Sequence, residues 1–175
     1  MRKYIQFAVL ILASFSIFSI SCKKEMNNLQ QKGEELPVAA SNINAESPPF
    51  NLEVILRNEG NGFGHVKFRQ DVRPEKIITL DTWVRDLEPN HQYLLQRAVD
   101  VIIDGNCTGT NWLTLGKGLT PQSILTDDNG RGSEELWRAI SMLASGTKFD
   151  IHFRVVDAST LAVVLTSDCY QYVVR

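Results

Sequence analysis

From residue 50 onward, apolar side chains in this chain recur mainly at every second position. "NLEVILR" sets Leu52, Val54 and Leu56 against polar neighbours, and "HVKFRQ" places Val66 and Phe68 on one side. "KIITLDTWVRDL" offers Ile78, Leu80 and Val84, and "HQYLLQRAVDVII" carries Tyr93, Leu95, Val99 and Val101 with some irregularity. "KFDIHFRVVD" alternates Phe149, Ile151, Phe153 and Val155, and "AVVLTSDCYQYVVR" is rich in β-formers. Alternation of this kind puts one set of side chains on one face of a half-buried strand. Between the runs stand turn signals: "NEGNGFG", "RPE", "EPN", "DGN", "GKGLTP", "DDNG" and "ASGT". Many short strands so punctuated predict an all-β domain over 50–175, an antiparallel Greek-key β-sandwich or flattened barrel. "SEELWRAISML" is ambiguous. It reads as a strand, but Leu136, Ile140 and Leu143 also suit one face of a short helical turn after an N-capping Ser133.

Ahead of this region the pattern changes twice. Met1-Arg2-Lys3 is a short basic head, and Ile5 to Ile20 is almost wholly apolar. That run is shorter than the ~20 residues needed to span a bilayer, and small polar residues follow it. The stretch Ser19-Ile20-Ser21-Cys22 resembles the lipobox of bacterial lipoproteins. The resemblance implies a signal peptide over 1–21, cleavage before Cys22, and acylation of that thiol. An ordinary secretory signal with an accidental cysteine and a retained membrane helix are the alternatives. Two or three acyl chains hold a protein to a membrane far better than one, since each buried CH₂ contributes about 0.8 kcal/mol. The expected location is the bacterial cell envelope, lipid-anchored, on the outer membrane facing the periplasm or at the cell surface. Residues 23–49 hold no aromatic side chain and no sustained periodicity, a composition that cannot offset chain entropy by burial. As a flexible coil of roughly 27 residues they span on the order of 30 Å, which makes 22–49 a lipidated cysteine and tether. Lys23-Lys24-Glu25 beside the lipid is a second candidate feature, for outward routing.

Charge narrows the partners. The chain carries a formal net charge of −2, and losing the leader removes Arg2 and Lys3 but no acid. A mildly acidic chain without a Lys/Arg cluster is a poor binder of phosphate backbones, so no nucleic-acid partner is expected. The expected partners are the membrane, through the lipid, and an envelope protein or extracellular ligand. Cys107 and Cys169 remain once Cys22 is lipidated, and in an exported chain such an even pair is most simply a disulfide, two buried free thiols being the alternative. A bridge closing about 60 residues would stabilise the fold by roughly 4 kcal/mol on the chain-entropy argument.

The order of features from Gly60 to Arg175 is similar to the copper/zinc superoxide dismutase fold. "GNGFGHVKF" resembles its early hairpin, "DLEPNHQY" its "GLxPGxHGF" turn, "DGNCTGT" its disulfide loop and "ILTDDNGRG" its "ADxxG" turn. "FDIHFRVVD" resembles its "LVVHxxxDD" strand and "SDCYQYVV" its closing "ACGVIGI", with Cys107 and Cys169 at the family's bridge positions. The departures concern the metal. The family's copper-binding His-x-His falls on Leu95 and Arg97, and "WLTLGKGLTPQSILTDD" holds none of its bridging or zinc-binding histidines. Only His152 matches a copper ligand, beside His65 and His91 elsewhere, and one imidazole does not hold copper tightly. The resemblance therefore implies a metal-less relative with no cofactor, His152 being a residual candidate. Leu87-x-Pro89-x-x-x-Tyr93 resembles the tyrosine corner of fibronectin type III and immunoglobulin-like sandwiches, which keeps that topology open.

Other sites are weaker. Asp127–Gly130 and "DVIIDG" from Asp100 have some calcium-loop character, but Asn-Gly is the common hairpin turn and Ile102 stands where a polar ligand is needed. Trp83, Trp112 and Trp137 are candidates for a sugar-stacking platform, against ordinary packing. Glu134 and Glu135 cannot act together from one strand, because adjacent residues face opposite sides. No nucleophile turn and no phosphate-cradling glycine loop is present. The sequence thus predicts a non-catalytic binding or structural module, with an envelope enzyme or metal/redox protein as the alternative.

Overall fold

A computed structural model describes residues 49–175. The leader over 1–21, Cys22 and the tether as far as residue 48 lie outside the described residues. The alternating segments become strands: β1 (Phe50–Arg57), β2 (Phe63–Gln70), β3 (Ile77–Arg85), β4 (Gln92–Asp100), β9 (Gly132–Ala139), β10 (Lys148–Asp157), β11 (Val163–Ser167) and β12 (Tyr170–Val173). Between β4 and β9 run four short ones: β5 (Leu113–Thr114), β6 (Gly116–Lys117), β7 (Thr120–Pro121) and β8 (Ser123–Leu125). No helix occurs among the described residues.

Pairing closes these strands almost into a ring. One wall is β1-β2-β3-β9 and the other is β8-β4-β10-β11, with β12 continuing along β10. β1 meets β11 through Leu56–Ser167 and Arg57–Thr166. The second seam is joined by a single bridge, Thr126–Gly132, and by β5 and β6, which pair with β4 and β9 respectively. The result is a flattened Greek-key barrel. In an immunoglobulin sandwich the second strand lies beside the first and the fifth. Here β2 lies between β1 and β3, so that topology does not apply. The tyrosine-corner bond is nevertheless made: the Glu88 amide donates to the Tyr93 hydroxyl at 3.1 Å.

The core is the set of inward positions that alternation predicts. Val54, Leu56, Val66, Phe68, Leu80, Leu95, Phe153 and Val155 are all buried. Phe68 meets Tyr172 edge-on at 4.9 Å and Phe153 at 6.1 Å. The Tyr172 hydroxyl donates to Gln70 Oε1 at 2.5 Å, and burial pushes its pKa up from the ordinary value. Two expectations change. "SEELWRAISML" is not helical: its first part is β9, where Leu136 points inward, and Ile140 and Leu143 then pack on the core from the following turn. Val101 is 87% exposed, because the chain leaves the sheet after Asp100. One turn demands glycine. Gly130, in the β8–β9 hairpin, has φ +70°, and a Cβ there would lie 2.1 Å from the Leu87 carbonyl oxygen.

Candidate functional site

The outer surfaces of the two walls each carry a tryptophan beside a histidine and a cation. On the β4–β10 wall the segment 101–112 folds back over the sheet. Asp100 and Asp150 face each other in register and pin it. Asp100 Oδ2 accepts the amides of Thr108 and Gly109, each at 3.0 Å, and Asp150 Oδ2 accepts those of Asp104 at 3.1 Å and Gly105 at 2.8 Å. Asp150 is 1% exposed, so these bonds are what make burial of its carboxylate tolerable. The Cys107–Cys169 disulfide, with sulfurs 2.07 Å apart, fastens the same segment.

His152 lies beneath it. Its Nε2 donates to the Gly109 carbonyl at 3.1 Å, and the Trp112 ring centre lies 4.6 Å from its own. The Arg154 guanidinium sits 4.0 Å over Trp112 and donates to Gln96, whose amide in turn donates to Thr114. His152, Arg154, Gln96 and Thr114 each make a hydrogen bond here. The β4 residues sharing the face of His152 are Ala98, directly opposite it, and Gln96, opposite Arg154. Leu95 and Arg97 lie on the other face, where Leu95 enters the core, so they are not the neighbours of His152 that the motif register implied. Burial, and after it the Arg138 cation, lowers the Arg97 pKa. Neither Gln96 nor Ala98 supplies an imidazole. No group of three His, Cys, Asp or Glu side chains placed to hold a metal occurs among the described residues.

The calcium candidates resolve into turn chemistry. Asp127 Oδ1 accepts the amides of Asn129 and Arg131, both at 2.9 Å. Those bonds, Arg131 first, hold its carboxyl below the ordinary range. Asp100 is occupied by the loop it pins. A serine, a histidine and an aspartate also meet, at Ser159, His91 and Asp157, but in the wrong order for acyl transfer. The carboxylate stands between, accepting Ser159 Oγ at 2.6 Å and His91 Nε2 at 2.5 Å, so no imidazole reaches the hydroxyl.

On the opposite wall nothing among the described residues folds over the sheet. Alternation turns Phe63, His65, Trp83 and Arg85 outward, and His65 pairs with Trp83 across β2 and β3. Their rings stack 5.6 Å apart at 23°, Lys67 Nζ lies 5.3 Å from the indole, and the second His65 contact is Glu53. On the β9 side, Trp83 faces only Ser133, and Val84 only Gly132. These small residues leave a groove of about 710 Å³ between an aromatic wall, Phe63 and Trp83, and an aliphatic one, Leu125. Trp83 is 40% exposed and Leu125 60% exposed. Arg85 lies 4.8 Å over Phe63 and pairs with Asp86 at 2.7 Å. Arg131 also lines the groove, and its guanidinium makes no hydrogen bond or ion pair among the described residues, although its charge acts on the Asp127 carboxyl.

The three tryptophans do not converge. Trp112 is on the other wall, and Trp137 sits opposite Thr79, four residues along β3 from Trp83, or roughly 13 Å. Asp81 and Glu135 lie in the register between them. Glu134 and Glu135 point to opposite sides, Glu134 pairing with Lys117 at 2.7 Å. Phe63, Leu125 and Arg131 were not signalled by any motif. Only their distance from each other in sequence hid them, since Trp83 itself is marked as outward by the inward set Ile78, Leu80 and Val84. No protein family, curated protein or solved structure matches this chain.

Proposed function

We propose that this chain is a lipid-anchored protein of the bacterial envelope whose β-barrel is a non-catalytic binding module, with the Trp83 groove as its ligand site. The observation that carries the reading is the contrast between the two walls. The face bearing His152 is covered by the chain's own disulfide loop, to which the imidazole is hydrogen-bonded, whereas the groove keeps an exposed indole and a guanidinium without a hydrogen bond. An open apolar groove with a few polar groups is the usual form of a small-ligand site. The lipobox-like Ser-Ile-Ser-Cys22 and the tether support the location. Kinship with the superoxide dismutase fold is supported by the Greek-key ring and by the bridge between Cys107 and Cys169. In that relationship the protein is a relative without metal ligands.

The alternative, an envelope metal or redox protein, predicts bound copper or zinc and superoxide turnover. Metal analysis of the purified protein is expected to find neither at stoichiometric level. Stoichiometric copper, lost in His152→Ala, overturns the proposal. Ligand fragments screened by nuclear magnetic resonance are expected to shift the amides of Gly132 and Ser133 first, and a response concentrated elsewhere removes the groove from the proposal. Cys22→Ala is expected to abolish acylation and leave the precursor uncleaved. Fatty acid still attached to the variant contradicts the anchor.

A further inference from the structure

We infer that the ligand of the groove is an acidic saccharide, bound with a pyranose ring against Trp83 and its carboxylate at Arg131. This inference rests on the reading of the groove as a ligand site. Three observations carry it. The first is the surplus of hydrogen-bond donors. Arg131 contributes a whole guanidinium without a partner, and Ser133 a hydroxyl. The acceptors nearby are fewer, with Asp127 Oδ2 left free beside Arg131. Asp127 Oδ1 takes two turn amides, and Thr126 Oγ1 donates to the Glu88 carbonyl while accepting the His91 amide. A site with more free donors than free acceptors favours a ligand that brings acceptors, and a guanidinium favours a carboxylate, which it can grip with two parallel bonds.

The second observation is the shape of the apolar surface. His65 lies against the indole from the β2 side, while the β9 side opens over Gly132 and Ser133 towards Leu125. A pyranose offers an apolar C–H face to an indole and hydroxyls at its rim, which suits an open groove whose floor is a serine and whose far wall is a leucine. A flat aromatic acid would satisfy the indole but leave the serine hydroxyl without a partner. The third is the distribution of charge along the wall. Beyond Trp83, away from Arg131, stand Asp81, Glu134 and Glu135. Asp81 is paired with Arg69 and Glu134 with Lys117, but Glu135 has no cation on it among the described residues. The acids beyond Trp83 disfavour a ligand charge on that side, whereas Arg131, beside Asp127, offers a cation on the other. The preferred ligand is a single acidic residue or chain end, not a uniform polyanion.

The test is a titration of the isotopically labelled full-length protein with methyl β-D-glucuronide, methyl β-D-glucoside and benzoate, followed at the Trp83 indole and at the amides of Gly132 and Ser133. The glucuronide is expected to saturate these signals, with about tenfold weaker binding in Arg131→Gln and for the glucoside, since one charge-assisted contact is lost in each case. Trp83→Ala is expected to abolish the response. Arg131→Gln keeps the backbone amide that bonds Asp127, so the hairpin is preserved. Benzoate binding as tightly as the glucuronide overturns the saccharide. Equal binding of glucoside and glucuronide, unchanged in Arg131→Gln, overturns the acid. In either case the groove stands as a ligand site and only its ligand class falls. Silence of the groove toward all three probes overturns the inference outright, while the fragment screen separately decides the groove.

Discussion

Trp112 with His152 and Arg154 on one wall, and Trp83 with His65 and Lys67 on the other, are nearly the same three side-chain types in nearly the same arrangement. Their fates differ because of what lies above them. The first trio is a floor on which the disulfide loop rests. Its histidine bonds the loop backbone and its cation bonds Gln96. The second has no such lid among the described residues, and its cluster grades into a groove that Arg131 lines. An aromatic ring beside an imidazole and a cation is therefore no sign of a site by itself. What separates a structural cluster from a binding surface is whether its donors and acceptors are already satisfied within the chain.

Cutting the lid free is the strongest way to break this contrast. Replacing both Cys107 and Cys169 by serine is expected to cost about 4 kcal/mol, the chain-entropy value for a crosslink spanning 62 residues. It should also raise hydrogen exchange at Gly105 and Gly109, whose amides bond Asp150 and Asp100. The Trp83 signals are expected to stay where they were, because no part of the groove is drawn from the loop. Equal loosening on both walls would mean that the faces are not independent.

A narrower comparison pits the two tryptophans directly. Trp112→Ala removes a ring held between an imidazole and a guanidinium, and is expected to cost about 2 kcal/mol in urea unfolding. Trp83→Ala removes a ring that is open on one side, leaving a cross-strand contact worth below about 1 kcal/mol. Ligand response should show the opposite order. If Trp83→Ala proves the more destabilising, the indole is a structural element and the groove an accident of packing.

How far the sequence leads depends on which contacts are local. Period-two alternation locates every long strand except β9, which it leaves between strand and helical turn, and it places Leu95, Phe153 and their neighbours in the core without any knowledge of pairing. The expected pairing of Cys107 with Cys169, reached by setting Cys22 aside as lipidated, is present as a disulfide. Failures begin where burial is supplied from a distance. Gln96 and Ala98 are buried although they face outward, because residues far along the chain cover them. Matching short motifs placed the family's metal positions on Leu95 and Arg97, and a slip of one residue along a strand changes the face. The groove is harder still. Phe63, Leu125 and Arg131 belong to separate strands or turns, and only the closed ring brings them to Trp83.

The smallest effect concerns acid, and it compares the fastenings of the two walls. Asp157 ties the β10–β11 turn and the start of β4. It accepts Ser159 Oγ, the Thr160 amide and His91 Nε2, which together hold its carboxyl well below the ordinary range. Asp127 does the same for the hairpin beside the groove with fewer partners. Both folded-state pKa values are depressed, so the unfolded chain takes up protons first as the solution is acidified. The stability these groups contribute is present above the ordinary aspartate pKa of about 3.9 and is lost as the pH falls below it towards the folded values. Stability measured by urea midpoint should therefore be level from neutrality to about pH 4 and decline beneath it. Asp157→Asn is expected to lower the plateau and flatten most of that decline. Asp127→Asn should do both to a smaller degree, because it takes the charge from two backbone bonds, where Asp157→Asn takes it from backbone and hydroxyl bonds and also removes the acceptor for the imidazole. A decline of unchanged steepness in Asp157→Asn would show that the acid sensitivity resides elsewhere, and that the covered wall is not the more tightly fastened of the two.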